Sequence, residues 1–328
     1  MTDYSSVIPA KAGIQVDEAS AMALDSCFRG GDDLIFEELA PPATRVRGYW
    51  QSVLYRLQHD SVTLVFAAIV LLIVLAALFA PLIAPFDPYK ESIVGRLKPF
   101  GWRGHLLGTD ELGRDVLSRL LYGGRVSLSM GVVPVLCATL IGGMLGVIAG
   151  FLGGRVNTAI MRTMDVFYAF PSVLLAVAIA GAMGGGIGNG MLALTMVFTP
   201  PMCRVAETAT TQVRALDFIE AARASGASTA AIIRYHVLGN VLGPVFIYAS
   251  SLVSVSILLA SGLSFLGLGV RPPTPEWGAM VAQGAELLDR WWLAAFPGLA
   301  ILTVVLALNF IGDSMRDLLD PRLRHLRQ

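Results

Sequence analysis

One stretch of the chain, residues 62–84, contains no charged side chain and is long enough to cross a lipid bilayer as an α-helix. Such a crossing needs roughly 20 predominantly apolar residues. Further apolar runs occupy residues 127–151, 161–182, 191–206, 245–266 and 293–311. The 328-residue chain is 55% hydrophobic and 15% charged, whereas soluble domains carry roughly 25% charged residues. The sequence therefore predicts an all-α integral membrane protein with six transmembrane helices.

The distribution of arginines predicts how these helices are oriented. Arg45, Arg47 and Arg56 precede the first run, and Arg316 and Arg322 follow the last. Because cationic residues accumulate in cytoplasmic segments, we expect both termini to be cytoplasmic. Residues 1–60 would form a cytoplasmic tail, largely disordered to about residue 45, and residues 61–84 the first helix. Residues 85–126 would form an extracytoplasmic loop containing an amphipathic helix, followed by a core of five helices (127–313) and a cytoplasmic tail (314–328).

Residues 208–243 form a polar segment between the fourth and fifth apolar runs. Asp217 is suited to cap a helix that runs to Ala224, because a carboxylate can accept bonds from the first-turn amides. Gly226 is expected to end that helix, and Ser228 or Thr229 to begin a second short one. The result would be a helix–turn–helix elbow tethered at both ends to membrane spans, which excludes a DNA-binding role.

Glycine, proline and charged residues suggest how the spans pack and bend. Gly142, Gly146 and Gly150 repeat at the spacing that lets two helices approach closely. Arg162 and Asp165 are three residues apart and are expected to pair at the start of the third helix. Prolines are expected to kink the third and fourth helices, at Pro171 and at Pro200 and Pro201 respectively.

Other classes of function receive no support from the residues. The chain carries no formal net charge, which argues against a nucleic-acid partner. Its 4 histidines are scattered and no metal-ligand spacing or Walker motif occurs, so we expect no catalytic or metal site and no cofactor in this chain. A secondary transporter or channel would be expected to carry charges near the middle of its spans. A membrane-embedded enzyme would be expected to carry a cluster of acids or histidines there. The centres of the predicted spans carry essentially neither, so neither class is supported.

Five sequence blocks, taken in order, resemble one family. They are residues 105–121 (HLLGTDELGRDVLSRLL), Arg162 and Asp165 with Phe170 and Pro171, Glu220-Ala221-Ala222 with Gly226, residues 265–278, and residues 309–324. Together they resemble the inner-membrane permeases of ABC importers, and most closely the C-type subunit of the dipeptide/oligopeptide/nickel subfamily. The chain departs from the family pattern at Glu207, at Gly239 and at Gly243-Pro244.

The resemblance implies a type I ABC importer permease fold and a location in the bacterial inner membrane. It implies a second, B-type permease subunit, two ATP-binding subunits that hold ATP and Mg²⁺, and an extracytoplasmic substrate-binding protein. The expected cargo is a peptide, with nickel or another small solute as the alternative. The family's EAA loop would couple the chain to the ATPases through Asp217, Glu220, Ala221, Ala222, Arg223, Gly226, Ile232 and His236. Structural or gating roles would fall to Arg162, Asp165, Pro171, Pro200 and Pro201.

Overall fold

The structure, a computed structural model, describes residues 60–319. The expectations for residues 1–59 and 320–328 therefore lie outside the described residues, whereas residues 314–319, predicted to begin the C-terminal tail, continue the last helix. Within the described part the secondary structure is helical apart from isolated β-bridges that join Trp102 to His105 and Thr109 to Asp115.

Most of the helices follow one another with short connections, but residues 84–115 form a long segment between α2 and α3. They are α1 (Ser61–Leu78), α2 (Ala80–Ile83), α3 (Val116–Leu152), α4 (Gly154–Tyr168), α5 (Ser172–Met183), α6 (Ile187–Arg214), α7 (Asp217–Ala224), α8 (Thr229–Ile232), α9 (Leu238–Phe265), α10 (Trp277–Ala285) and α11 (Trp292–Leu319). A π-helical segment, Ile233–Val237, joins α8 to α9, so that Thr229–Phe265 is one continuous helix of 37 residues.

Four of the described helices have the length and apolar character of a membrane span. They are Ser61–Leu78, Val116–Leu152, Thr229–Phe265 and Trp292–Arg316. A fifth results if α4 and α5, which meet at an angle of 85°, are counted as one broken span. Helix α6 is long enough to span but is less apolar than these four, because Asn189, Arg204 and Glu207 interrupt its apolar residues.

Helices α3 and α6 pack backbone to backbone through the predicted glycine series. A Cβ placed on Gly142 would lie 2.5 Å from the carbonyl oxygen of Thr199, and one on Gly150 would lie 2.7 Å from that of Glu207. Between them, a Cβ on Gly146 would collide with the carbonyl oxygen of Cys203. Because only glycine permits this approach, the prediction of close helix packing is confirmed.

The segment between α2 and α3 differs from the sequence expectation. No separate amphipathic helix forms there, because Val116 to Leu121 are the first residues of the long helix α3. Asp115 caps that helix by accepting hydrogen bonds from the amide and the hydroxyl of Ser118, both at 2.7 Å. The polar residues expected on a water-facing surface are instead buried: Asp110 accepts a bond from the Arg114 guanidinium at 2.7 Å, and Arg119 lies beside the same carboxylate.

The first helix packs against the last. The rings of Phe66 and Phe310 stack with their centroids 4.4 Å apart, and the hydroxyls of Thr63 and Ser314 lie 2.6 Å from each other. Asp60 caps α1 by accepting a bond from the Val62 amide, and its bond from the Thr63 hydroxyl lowers the pKa of the Asp60 carboxyl. These contacts attach α1 to the bundle near the C-terminal end of α11.

A buried acid anchors the short helix α10. Glu276 is fully buried and caps α10 by accepting bonds from the amides of Gly278 and Ala279, each at 2.9 Å. Its carboxylate also accepts a 2.9 Å bond from the hydroxyl of Ser127 on α3. The amide of Trp277 donates to the Ser127 hydroxyl and its indole to the carbonyl of Leu120, so three hydrogen bonds join this corner to α3.

Candidate functional site

The candidate site is the elbow, residues 217–236, which projects between α6 and α9. Its first arm is α7, and the structure makes Leu216 rather than Asp217 the N-cap, because Leu216 has extended backbone angles (φ −86°, ψ 144°). The expectation that Asp217 caps this helix is therefore wrong. Asp217 instead lies with Glu220 in the first turn, where negative charge favours the helix dipole.

Gly226 ends the first arm as the sequence predicts. Its φ of +79° is a left-handed backbone conformation that favours glycine. The Gly226 amide bonds to the carbonyl of Arg223 at 2.9 Å and the Ala227 amide to that of Ala222 at 3.1 Å. This pair of bonds is the Schellman motif, which satisfies the last carbonyls of the helix.

The second arm begins at the predicted cap but does not stay short. The Ser228 hydroxyl accepts a 3.3 Å bond from the amide of Ala231, which starts α8. The helix then passes through the π-helical segment into α9 without interruption. The second arm is therefore the N-terminal extension of the long helix Thr229–Phe265 rather than an independent helix.

The inner face of the elbow belongs to the core of the bundle. Ile219, Ile232 and Val237 are each 1% exposed or less and join the hydrophobic cluster formed mainly by α3, α5, α6 and α9. Ala222 packs partly buried against the same cluster. Of the predicted coupling residues, Ile232 and Ala222 therefore support the elbow from within.

The outer face presents the remaining predicted residues together. Asp217, Glu220, Ala221, Arg223, Gly226 and His236 are all exposed. The guanidinium of Arg223 lies 5.3 Å from the centroid of the Phe151 ring, at the end of α3. Charged side chains thus surround the turn at Gly226 on the outer face of the elbow. Apolar contacts of the inner face hold the elbow against the bundle.

Two aromatic residues on this face were missed from the sequence. Tyr235 is 72% exposed and Phe218 is 42% exposed. The Phe218 and His236 rings lie 6.2 Å apart and bring the two arms into contact. The only sequence signal was an aromatic residue in each polar arm, which does not by itself reveal the direction of the side chain.

Of the predicted gating residues, Pro171, Pro200 and Pro201 lie around the break between α4 and α5, whereas Arg162 and Asp165 lie earlier, within α4. Within the described part of the chain no ion pair joins Arg162 to Asp165; Asp165 instead pairs with Arg204 on α6, at 2.5 Å. The reason is tertiary, since α6 brings Arg204 over the Tyr168 ring, 4.8 Å from its centroid, and next to Asp165. Pro171 lies at the break itself, and Pro200 and Pro201 lie within α6, which continues through them.

Comparison with known proteins gives the same class as the fold. The family model described as "Binding-protein-dependent transport system inner membrane component" matches residues 142–325. The model "N-terminal TM domain of oligopeptide transport permease C" matches residues 48–99. A solved structure of the MetNI methionine ABC transporter, in an inward-facing conformation, aligns with a TM-score of 0.53 at 18% identity, over 62% of this chain and 97% of that one.

Individual relatives are similar over most of their length. The di/tripeptide transport system permease DppC of Pseudomonas aeruginosa is 42% identical over 286 residues, which cover 85% of this chain and 93% of the relative. A probable D,D-dipeptide permease, DdpC of Escherichia coli, is 40% identical over 86% and 94% of the two chains. The glutathione permease GsiD of Pectobacterium atrosepticum is 38% identical over 85% and 93%.

The bent, helical architecture is thus that of an ABC importer permease. The chain belongs to the family of binding-protein-dependent transport inner-membrane components, and within it to the C-type subunits of the dipeptide/oligopeptide/nickel subfamily. It is a multi-pass protein of the bacterial inner membrane whose family forms the transport component rather than a catalytic one.

Proposed function

We propose that the chain forms half of the transmembrane pathway of an ATP-driven peptide importer and that the elbow couples it to the ATP-binding subunits. A peptide cargo is supported by the relatives in the comparison, which are named for di- and tripeptides, D,D-dipeptides and glutathione. Glutathione is itself a short peptide. A B-type permease subunit, two ATP-binding subunits and an extracytoplasmic substrate-binding protein would complete the assembly, and ATP hydrolysis would belong to the ATP-binding subunits.

The proposed topology has six spans with both termini in the cytoplasm. In it α6 is the fourth span despite its charges, because its apolar half, from Ile187 to about Pro201, packs inside the bundle between α3 and α9. The elbow then lies on the cytoplasmic side, and the loop between α2 and α3 lies on the opposite side. Core helices that are covered by protein need less apolar surface than helices that face lipid.

The observation that carries the coupling proposal is the division of the elbow into a buried inner face and an exposed outer face. Ile219, Ile232 and Val237 fix the inner face to the bundle. The outer face exposes Tyr235 together with Arg223 and Arg234, and tyrosine and arginine are enriched at the centres of protein interfaces.

The proposed coupling mechanism depends on the rigidity of the helix that links the elbow to the membrane. When the ATP-binding subunits close around ATP, they would displace the elbow, and the continuous helix Thr229–Phe265 would carry that displacement into the membrane. Alternating access would then arise from rocking of the helix bundle, without a covalent step in this chain.

A labelling experiment tests topology and docking together. In a variant in which Cys27, Cys137 and Cys203 are replaced by alanine, Tyr235→Cys and Tyr89→Cys introduce single thiols at two exposed tyrosines, one on the elbow and one on the loop after α2. We expect a membrane-impermeant maleimide to reach Tyr235→Cys only from the cytoplasmic side and only in membranes that lack the ATP-binding subunits. Tyr89→Cys should react from the opposite side whether or not those subunits are bound. Reaction of both positions from the same side, or unchanged labelling of Tyr235→Cys in the full complex, would contradict the proposal.

A further inference from the structure

A cavity of about 520 Å³ opens where α4 breaks from α5. It is bounded by the break itself, by the middle of α6 at Val197–Pro201 and by α9 at Tyr248–Val255. Aromatic rings form much of its wall: Tyr168, Phe170, Phe198 and Tyr248. Phe198 is buried, whereas Tyr168 and Phe170 are more than half exposed.

The backbone around this cavity carries polar groups without their helical partners. The N-cap of α5 is Pro171, which supplies no capping side chain, so the amides of Ser172, Val173 and Leu174 have no preceding turn to bond to. On α6, Pro200 and Pro201 have no N–H to donate to the carbonyls four residues earlier, one of which belongs to the cavity-lining Val197.

Such backbone disfavours lipid as the occupant of the cavity. Irregular backbone at membrane depth is tolerated only where it is covered by protein or lines a water-filled space, since hydrocarbon cannot satisfy its polar groups. The cavity therefore suits water and a solute that carries hydrogen-bonding groups, with aromatic surface available for apolar parts of that solute.

Charges of both signs lie next to Tyr168, one of the residues that line the cavity. The carboxylate of Asp165 and the guanidinium of Arg204 pair at 2.5 Å, and their side chains remain 43% and 46% exposed. The guanidinium stacks over Tyr168, whose residue also lines the cavity. A short peptide carries the complementary pair of charges, an ammonium at one end and a carboxylate at the other.

We propose that this cavity is a contact site for the peptide in transit, in which Tyr168, Phe170 and Tyr248 accept its side chains and the Asp165–Arg204 pair faces its charged termini. The inference rests on the proposed peptide transport and assigns these residues a role in discriminating between peptides. Bulky apolar side chains would gain contacts with the rings that a glycine peptide does not make.

The first test asks whether the cavity contains water in the assembled complex. In the cysteine-free variant, Val255→Cys places a thiol in the cavity, and Leu258→Cys places one on the same helix outside the cavity lining. We expect a water-soluble maleimide to label Val255→Cys, excess alanyl-phenylalanine delivered by the binding protein to slow that labelling, and Leu258→Cys to stay unlabelled. If Val255→Cys reacts only with a membrane-soluble reagent, a lipid or a partner helix fills the cavity and the proposal is wrong.

The second test asks whether the rings discriminate between peptides. Import of alanyl-phenylalanine and of glycyl-glycine is measured in proteoliposomes with saturating, loaded binding protein. We expect Phe170→Ala and Tyr248→Ala to lower the ratio of the two import rates roughly 3- to 10-fold, and Leu258→Ala to leave the ratio unchanged.

The outcomes separate the two proposals. If the unmodified complex imports both peptides but the ratio is the same in all variants, the cavity is not a contact site while peptide transport stands. If the unmodified complex imports neither peptide, the proposed function itself is wrong.

Discussion

Glu276 is the fully buried acid that attaches α10 to α3. Its carboxylate accepts bonds from two amides of α10 and from the hydroxyl of Ser127. In the sequence it follows Pro275 in a proline-rich stretch. Its burial depends on α3, which is distant in sequence.

Replacing Glu276 by alanine should destabilise the protein by about 1–3 kcal/mol, because it leaves buried donors without an acceptor. The expected result is a lower midpoint of thermal unfolding for the purified complex. Glu286→Ala, at the exposed C-terminal end of the same helix, is the matched control and should leave the midpoint within experimental error. Equal midpoints for both variants would show that the Glu276 network does not contribute to stability.

The ion-pair partner of Asp165 could not be predicted from its spacing along the chain. Spacing on one helix favours its pairing with Arg162, yet the partner in the structure is Arg204, 39 residues away. Local spacing identifies charges that are able to pair, whereas the packing of α4 against α6 decides which pair forms. The exposed aromatics of the elbow, Phe218 and Tyr235, have the same explanation, since their direction depends on which face of each arm the core covers.

Elements defined by backbone chemistry were predicted well. The glycine that ends α7, the serine that begins α8 and the glycine series of α3 each require a particular residue for a stereochemical reason, and the structure has each in its expected role. Other helix predictions were wrong: Asp217 does not cap α7, and the amphipathic helix predicted before α3 from the periodicity of its apolar residues does not form as a separate helix. Periodicity did not reveal that Asp110, Arg114 and Arg119 are buried against one another.

The contact of α3 with α6 supplies a prediction with an internal control. Gly146→Ala should disrupt the helix pair, because the added methyl would collide with the Cys203 carbonyl, and we expect reduced accumulation and a lower unfolding midpoint. Gly143→Ala, three residues earlier on the same helix, meets nothing within 4 Å and should be tolerated or slightly stabilising. If the two variants accumulate and unfold alike, the close approach does not stabilise the fold.

At the scale of the whole molecule, composition and the length of the apolar runs predict a membrane protein, and the family comparison confirms that class. The number of spans is harder to obtain, because α6 is less apolar and packs among other helices, and because α4 and α5 meet at an angle of 85°. These helices form part of the cavity wall, and α6 leads into the elbow. The helices that are hardest to recognise as spans therefore include parts of the molecule proposed to act in transport.

The most direct test of the account measures how far loaded binding protein stimulates ATP hydrolysis by the reconstituted four-part importer. Gly226→Trp places a bulky β-carbon-bearing residue at a φ of +79° on the exposed turn, and Gly226→Asn is the control because asparagine tolerates that conformation. The account predicts that stimulation is lost in Gly226→Trp and largely kept in Gly226→Asn. Stimulation in Gly226→Trp equal to that of the unmodified complex would contradict the claim that the elbow transmits force between the ATP-binding subunits and the membrane helices.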